Sequence, residues 1–149
     1  MSAKYVKITP DRVYLRYLPQ KPTEAELWMG IVPNEWGNRL SGNDFVDLFA
    51  GHIRRMGHCQ MKDVARLMEV TPLQLTVTIT TLTGTGPKEW IEYFAIRAAC
   101  EMLEETDWEA GEIARRLHFS APLAFSRFFY RMKKMYPTQW RYKYAKRKE

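Results

Sequence analysis

Residues 112–117 read Glu-Ile-Ala-Arg-Arg-Leu and residues 125–129 read Phe-Ser-Arg-Phe-Phe, with His118-Phe119-Ser120 between them as a tight turn. Neither run is long enough to be stable as an isolated helix, so each has to bury its apolar face on the other. The chain is thereby constrained to a short helix, a turn and a longer helix. The pattern lies in a basic tract. Residues 115–149 hold eleven Lys or Arg against Glu149 alone, a balance of +10, whereas residues 1–114 hold 12 basic and 16 acidic side chains, a balance of −4. Charge gathered at one helical end of a chain is the electrostatic footprint of a DNA binder.

The 149 residues leave room for one ordinary domain, or one domain with an arm, and for a core that needs no staples. A hydrophobic fraction of 46% with 27% charged residues is that of a globular chain. The pI of about 9.4 therefore asks for a partner, with nucleic acid ahead of an anionic membrane surface. Cys59 and Cys100 form no CxxC pair, and His52, His58 and His118 are scattered, so no disulfide framework, metal site or cofactor is expected. The first ten residues lack the apolar core of a signal peptide, and no stretch approaches the ~20 apolar residues that span a bilayer. The expectation is a soluble, cytoplasmic protein with no membrane partner. No nucleophile–base pairing, P-loop or dinucleotide fingerprint suggests an enzyme.

Residues 1–42 differ from the rest. Pro10, Pro19, Pro22 and Pro33 break up any long helix and leave short β-type runs such as residues 13–17, in an arm or small subdomain. Trp28, Met29, Ile31, Val32 and Trp36 are too apolar for a solvated linker, so part of it should be ordered. From Asn43 the period becomes helical, and residues 43–149 are read as one domain. Asn43 or Asp44 caps a helix bearing Phe45, Leu48, Phe49, Ile53 and Met56, with Gly57 at its end. A short helix over about 61–68 follows. Thr71-Pro72 is then the N-cap and first position of a third helix, about 72–82, stopped by Gly84 and Gly86. Its Thr-rich interior is β-branched and alternates like a strand, but its flanking residues favour helix. A long helix runs from Pro87 to about Glu104. Thr106 and Glu109 have capping-box spacing for a helix over about 107–117, Ser120 is placed to cap one over about 121–134, and a last helix covers about 138–146. Two units of short helix, turn and longer helix thus flank one long helix, their turn caps Thr71 and Ser120 lying 49 residues apart.

At this point residues 43–145 resemble the DNA-binding domain of the AraC/XylS family of bacterial transcription regulators. The resemblance is carried by Glu112-Ile113-Ala114, His118-Phe119, Phe125-Ser126-Arg127-Phe128-Phe129 and Pro137-Thr138-Gln139-Trp140-Arg141, and more loosely by Val64-Ala65, Val70-Thr71-Pro72, Leu75, Ile79 and Gly84. It implies an all-α fold of two helix-turn-helix units joined by a long linker helix, each offering a recognition helix to successive major grooves, ~34 Å apart. Three departures stand out. His118 occupies the family's turn glycine, Lys134 stands where glycine usually follows the second recognition helix, and the first recognition helix, residues 72–82, holds no Lys or Arg.

The residues expected to meet DNA are Gln74, Thr76 and Thr78 in the first unit and Ser120, Ala121, Leu123, Ser126, Arg127, Arg131, Lys134 and Arg141 in the second. Arg127, Arg131 and Lys134 recur at i, i+4, i+7 and can reach phosphates or a guanine edge, and Gln74 can pair with adenine. Ala121 and Leu123 can touch a thymine methyl but cannot hydrogen-bond a base. The expected function is a sequence-specific regulator of promoter DNA that contacts or blocks RNA polymerase. With about 42 residues ahead of the helices, a full ligand-sensing domain and a small-molecule effector are not expected, which leaves a stand-alone regulator controlled by its own abundance or a fragment of a longer protein. The alternative is an interaction module that kept the fold and lost operator reading, motivated by the poor reader set of both recognition helices.

Overall fold

The computed structural model describes residues 7–18, 24–28 and 37–146, which form nine helices and no strand. Two short helices in the arm, α1 (Pro10–Val13) and α2 (Glu24–Trp28), precede α3 (Asp44–Met56), α4 (Met61–Leu67) and α5 (Pro72–Thr83). The linker helix α6 (Pro87–Glu105) leads to α7 (Ala110–Arg116), α8 (Pro122–Lys133) and α9 (Pro137–Tyr144). Over the described residues the chain is all-α, as the resemblance implied.

The Thr-rich segment is a helix because both of its ends are specified. Gln74 N–H donates to Thr71 Oγ1 at 3.1 Å while Thr71 N–H donates to Gln74 Oε1 at 2.9 Å, a reciprocal cap. Pro72 follows at the first position, and Gly84 closes the helix at φ 77°. Inside, Leu75 and Ile79 are fully buried one turn apart, and tertiary packing of that pair overrides the β-preference of the threonines. Thr76 and Thr83 direct their hydroxyls to the carbonyls of Pro72 and Ile79, four residues back, and the buried Trp90 Nε1–H donates to Thr83 Oγ1 at 3.2 Å.

Two caps differ from those expected. Thr106 closes α6 rather than opening α7, its hydroxyl donating to the Met102 carbonyl at 2.6 Å, and α7 starts after Glu109. Ala121, not Ser120, is the N-cap of α8. The helix beginning at Pro122 therefore lies 50 residues after its counterpart at Pro72, whereas the left-handed turn residues Glu69 and His118 lie 49 apart. The second turn holds one extra residue. The turns are otherwise alike: Val70 N–H donates to Ala65 O at 3.0 Å and Phe119 N–H to Ala114 O at 2.9 Å, closing each short helix in the same way.

The linker helix serves both cores. Trp90, Ile91 and Phe94 pack with Val46, Phe49, Ile53, Leu75 and Ile79, while Ala98, Ala99, Met102 and Leu103 pack with Ile113, Leu117, Phe125 and Phe129. The arm crosses the same helix, with Val13 and Tyr14 in the first core and Leu18 against the second. Residues 13–17, expected as a β-type run, leave α1 with no strand partner among the described residues; Val13 O accepts from Arg39 N–H at 2.9 Å, and side chains satisfy much of the backbone that follows. Glu101 accepts from the Tyr14 hydroxyl at 2.5 Å and from the Tyr17 and Leu18 amides at 2.8 and 3.1 Å. The Arg54 guanidinium donates to the carbonyls of Leu15 and Arg16 at 2.8 and 2.5 Å. Burial and the Glu101 carboxylate push the Tyr14 hydroxyl far above its ordinary pKa, so it stays a donor. Trp28 is 89% exposed, and Met29, Ile31, Val32 and Trp36 lie outside the described residues.

The units also touch directly. Gly57, at φ 67°, turns the chain after α3 so that His58 N–H donates to the Leu117 carbonyl at 2.8 Å, and a Cβ on Gly57 would stand 2.5 Å from that carbonyl oxygen. The His58 ring stacks on Phe119 of the second turn, centroids 4.3 Å apart. Gly57→Ala is expected to lower unfolding free energy in urea by at least about 3 kcal/mol, since it adds a backbone clash to a left-handed φ. Burial holds the His58 pKa below the ordinary 6.5, with Glu92 raising and Arg131 lowering it. The unfolded chain then takes up that proton first, so stability present above pH ~6.5 is lost as pH falls through the range below it. Urea titrations at a series of pH values should show this loss, with a shallower dependence in His58→Gln.

Candidate nucleic-acid interface

Helices α5 and α8 are the longer helices of the two units, and each buries one face and exposes another. In α8, Phe125, Phe128 and Phe129 are buried, and Leu123, Arg127, Tyr130 and Arg131 are exposed, with Lys134 exposed at the C-cap. In α5 the exposed residues 50 positions earlier are Leu73, Val77, Thr80 and Thr81, ending at Gly84. The same stripe carries three cations in the second unit and none in the first.

The structure divides the basic residues into those with partners inside the fold and those without. Arg115 and Arg116 both bond Glu112 of their own helix, at 2.6 and 2.9 Å. Arg131 reaches off α8 to Glu92 on the linker helix, pairing with a carboxylate whose side chain is 12% exposed. Arg141 donates its Nε–H to Leu103 O at 3.0 Å and its Nη2 hydrogens to the carbonyls of Thr106 and Trp108, closing the C-terminal end of α6. Beside it Trp140 Nε1–H donates to Glu104 at 3.1 Å and packs edge-on to Phe129, so this Trp-Arg pair docks α9 onto the linker. Lys146 bonds Glu105 at 3.3 Å. Among the described residues of the basic tract from Arg115 onward, Arg127, Lys133, Lys134 and Lys143 have no acidic partner, Lys133 and Lys143 lying over the rings of Trp140 and Tyr144.

The residues singled out from sequence are thus distributed unevenly. Arg127 and Lys134 are exposed with unpaired charge, Lys134 in the left-handed conformation at φ 58°. Ser120, Ala121 and Leu123 are exposed where α8 begins, Ser126 is half-buried, and Ala121 offers no side-chain acceptor to the first amides of the helix. Arg131 and Arg141 are engaged within the fold. In the first unit Gln74 is exposed, but its amide oxygen already accepts from Thr71. Thr76 and Thr78 are half-buried, and the Thr76 hydroxyl faces Pro72 O and Met61 Sδ. Leu73 and Val77 occupy the outward positions instead. The signal for them was the Pro72–Pro122 spacing, which sets Val77 on Arg127 and Leu73 on Leu123.

Two short-helix, turn, long-helix units on one linker define a double helix-turn-helix protein. Residues 64–143 match the family model described as Helix-turn-helix domain, and with that match the chain belongs to the AraC/XylS type of helix-turn-helix proteins. Solved structures share the fold. The C-terminal domain of AraT, a response regulator from Geobacillus stearothermophilus, is 20% identical over 73% of this chain and 93% of its own, with a TM-score of 0.66. The C-terminal domain of the two-component response regulator yesN from Fusobacterium nucleatum is 16% identical over 66% of this chain and 99% of its own, with a TM-score of 0.61. The DNA-binding domain of AdpA, a global transcriptional factor solved in complex with a target DNA, is 21% identical over 68% of this chain and 93% of its own, with a TM-score of 0.60. No curated protein matches the chain. None of the described helices is long and apolar enough to cross a membrane.

The division of the cations has a direct test. Arg141→Ala removes three charge-assisted bonds to carbonyls and is expected to cost about 3 kcal/mol in urea unfolding. Arg127→Ala, at an exposed position, should leave stability within about 0.5 kcal/mol.

Proposed function

We propose that this chain is a sequence-specific regulator of transcription that binds double-stranded promoter DNA chiefly through its second unit and contacts or blocks RNA polymerase there. The observation that carries the reading is Arg127. It is an exposed guanidinium on the outer face of α8, a helix anchored by its buried phenylalanines, and it is left without an acidic partner while neighbouring arginines are paired. Lys134 and Lys143 extend the charge beyond α8. Ser120, Ala121, Leu123 and Ser126 would lie along the same groove, and Arg131 and Arg141 act indirectly, by fixing α8 and α9 on the linker.

The second reading, an interaction module that retained the fold, draws on the uncharged outer face of α5. The two part on salt. Four unpaired cations correspond to a slope of log affinity against log salt of roughly −4, and a DNA-free module shows no such affinity. Selecting bound fragments from sheared genomic DNA with the purified chain, then titrating salt on the recovered duplex, measures both. Arg127→Ala should weaken that binding by about 1–3 kcal/mol if it pairs bidentately with a base. Unchanged affinity removes Arg127 from the interface.

A further inference from the structure

The outer stripe of the first recognition helix has no cover among the described residues. Leu73 and Val77, one helical turn apart, are 72% and 56% exposed, and α5 holds no charged residue from end to end. An uncharged helix with a Leu–Val pair on its outer face suits a partner that is apolar at points one turn apart. In the major groove the apolar feature of the base edges is the thymine methyl group.

A second observation sets a cation at the C-terminal end of this helix. Lys7, ahead of α1, lies over Gly84, its Cε 3.0 Å and its Nζ 3.4 Å from where a Cβ would stand. Gly84 is the left-handed cap of α5, as Lys134 is of α8. The arm thus brings to the end of the first recognition helix an ammonium group that the second helix carries in its own sequence. An apolar stripe ending at a cation matches base methyls bordered by phosphate.

The geometry points to Leu73 and Val77 as readers of thymine methyl groups, with Lys7 on the adjoining phosphate, so that the first half-site is chosen by van der Waals contact rather than by hydrogen bonding. The inference rests on the DNA-binding reading above and assigns the first unit a base preference of its own.

The test uses the intact chain and the duplex recovered by genomic selection, with the thymines of each half-site replaced in turn by deoxyuridine, which lacks only the methyl. In the half-site that Arg127→Ala does not affect, each contacted replacement is expected to weaken binding about four-fold, the effect of one buried methyl-sized group. The Leu73→Ala, Val77→Ala double variant should bind thymine and deoxyuridine duplexes alike, with thermal unfolding unchanged because both side chains are exposed. Lys7→Gln should weaken both duplexes equally and reduce the salt slope by about 0.9. A deoxyuridine penalty that survives the double variant, or none at all in that half-site, overturns the proposal. So does a double variant that keeps its DNA affinity but loses self-association in sedimentation, which would give the stripe to a second copy of the chain. Failure to select any DNA instead overturns the DNA-binding reading, and the assignment falls with it.

Discussion

The molecule depends on α6 being buried around most of its circumference. A helix with one apolar stripe can close one core, but α6 presents Trp90, Ile91 and Phe94 to one unit and Ala98, Met102 and Leu103 to the other. Its 19 residues span about 28 Å, so the cores lie end to end along a single rod. Its polar residues are then the attachment points. Glu92 holds α8, Glu101 holds the arm, and Glu104 and Glu105 hold the C-terminal segment. The acidic balance of the first 114 residues, which in sequence looks like a contrast to the basic tail, partly serves to receive that tail.

Helix positions were legible because the ends of each helix are local. Asn43, the Thr71-Pro72 start, Gly57 and Gly84 announce themselves within four residues, and they outweighed the strand-like interior of α5. The caps at Thr106 and Ser120 were misplaced because a hydroxyl can close one helix as readily as open the next, and spacing alone does not say which. The occupation of the arginines was not legible at all. Arg131 and Arg141 find partners 33 to 39 residues away, through a packing angle that no local pattern encodes. The arm's missing ladder is of the same kind: Glu101 and Arg54 replace a neighbouring strand, from 84 and 39 positions off.

The duplication preserved shape more faithfully than chemistry. Both turns pass through a left-handed residue, Glu69 or His118, and both recognition helices start with Pro and end left-handed. Yet one helix has a side-chain cap and an uncharged face, while the other has no side-chain cap and three cations. Packing constrains the inward residues of the two units alike and leaves the outward ones free to diverge. Asymmetry at equivalent surface positions therefore says more about partners than the shared architecture does.

The hydrogen bond from His58 N–H to the Leu117 carbonyl, which the Gly57 turn allows, ties the two units to each other directly. For a two-pronged DNA reader, this turns distance into information. Each base pair added between two half-sites rotates the second by about 35° around the duplex, and prongs fixed to each other through a backbone hydrogen bond cannot follow. A flexible pair of readers would accept several spacings and lose entropy on settling into one; a fused pair has already lost it and accepts one spacing. The gap between two words of an operator would then be read as strictly as the words.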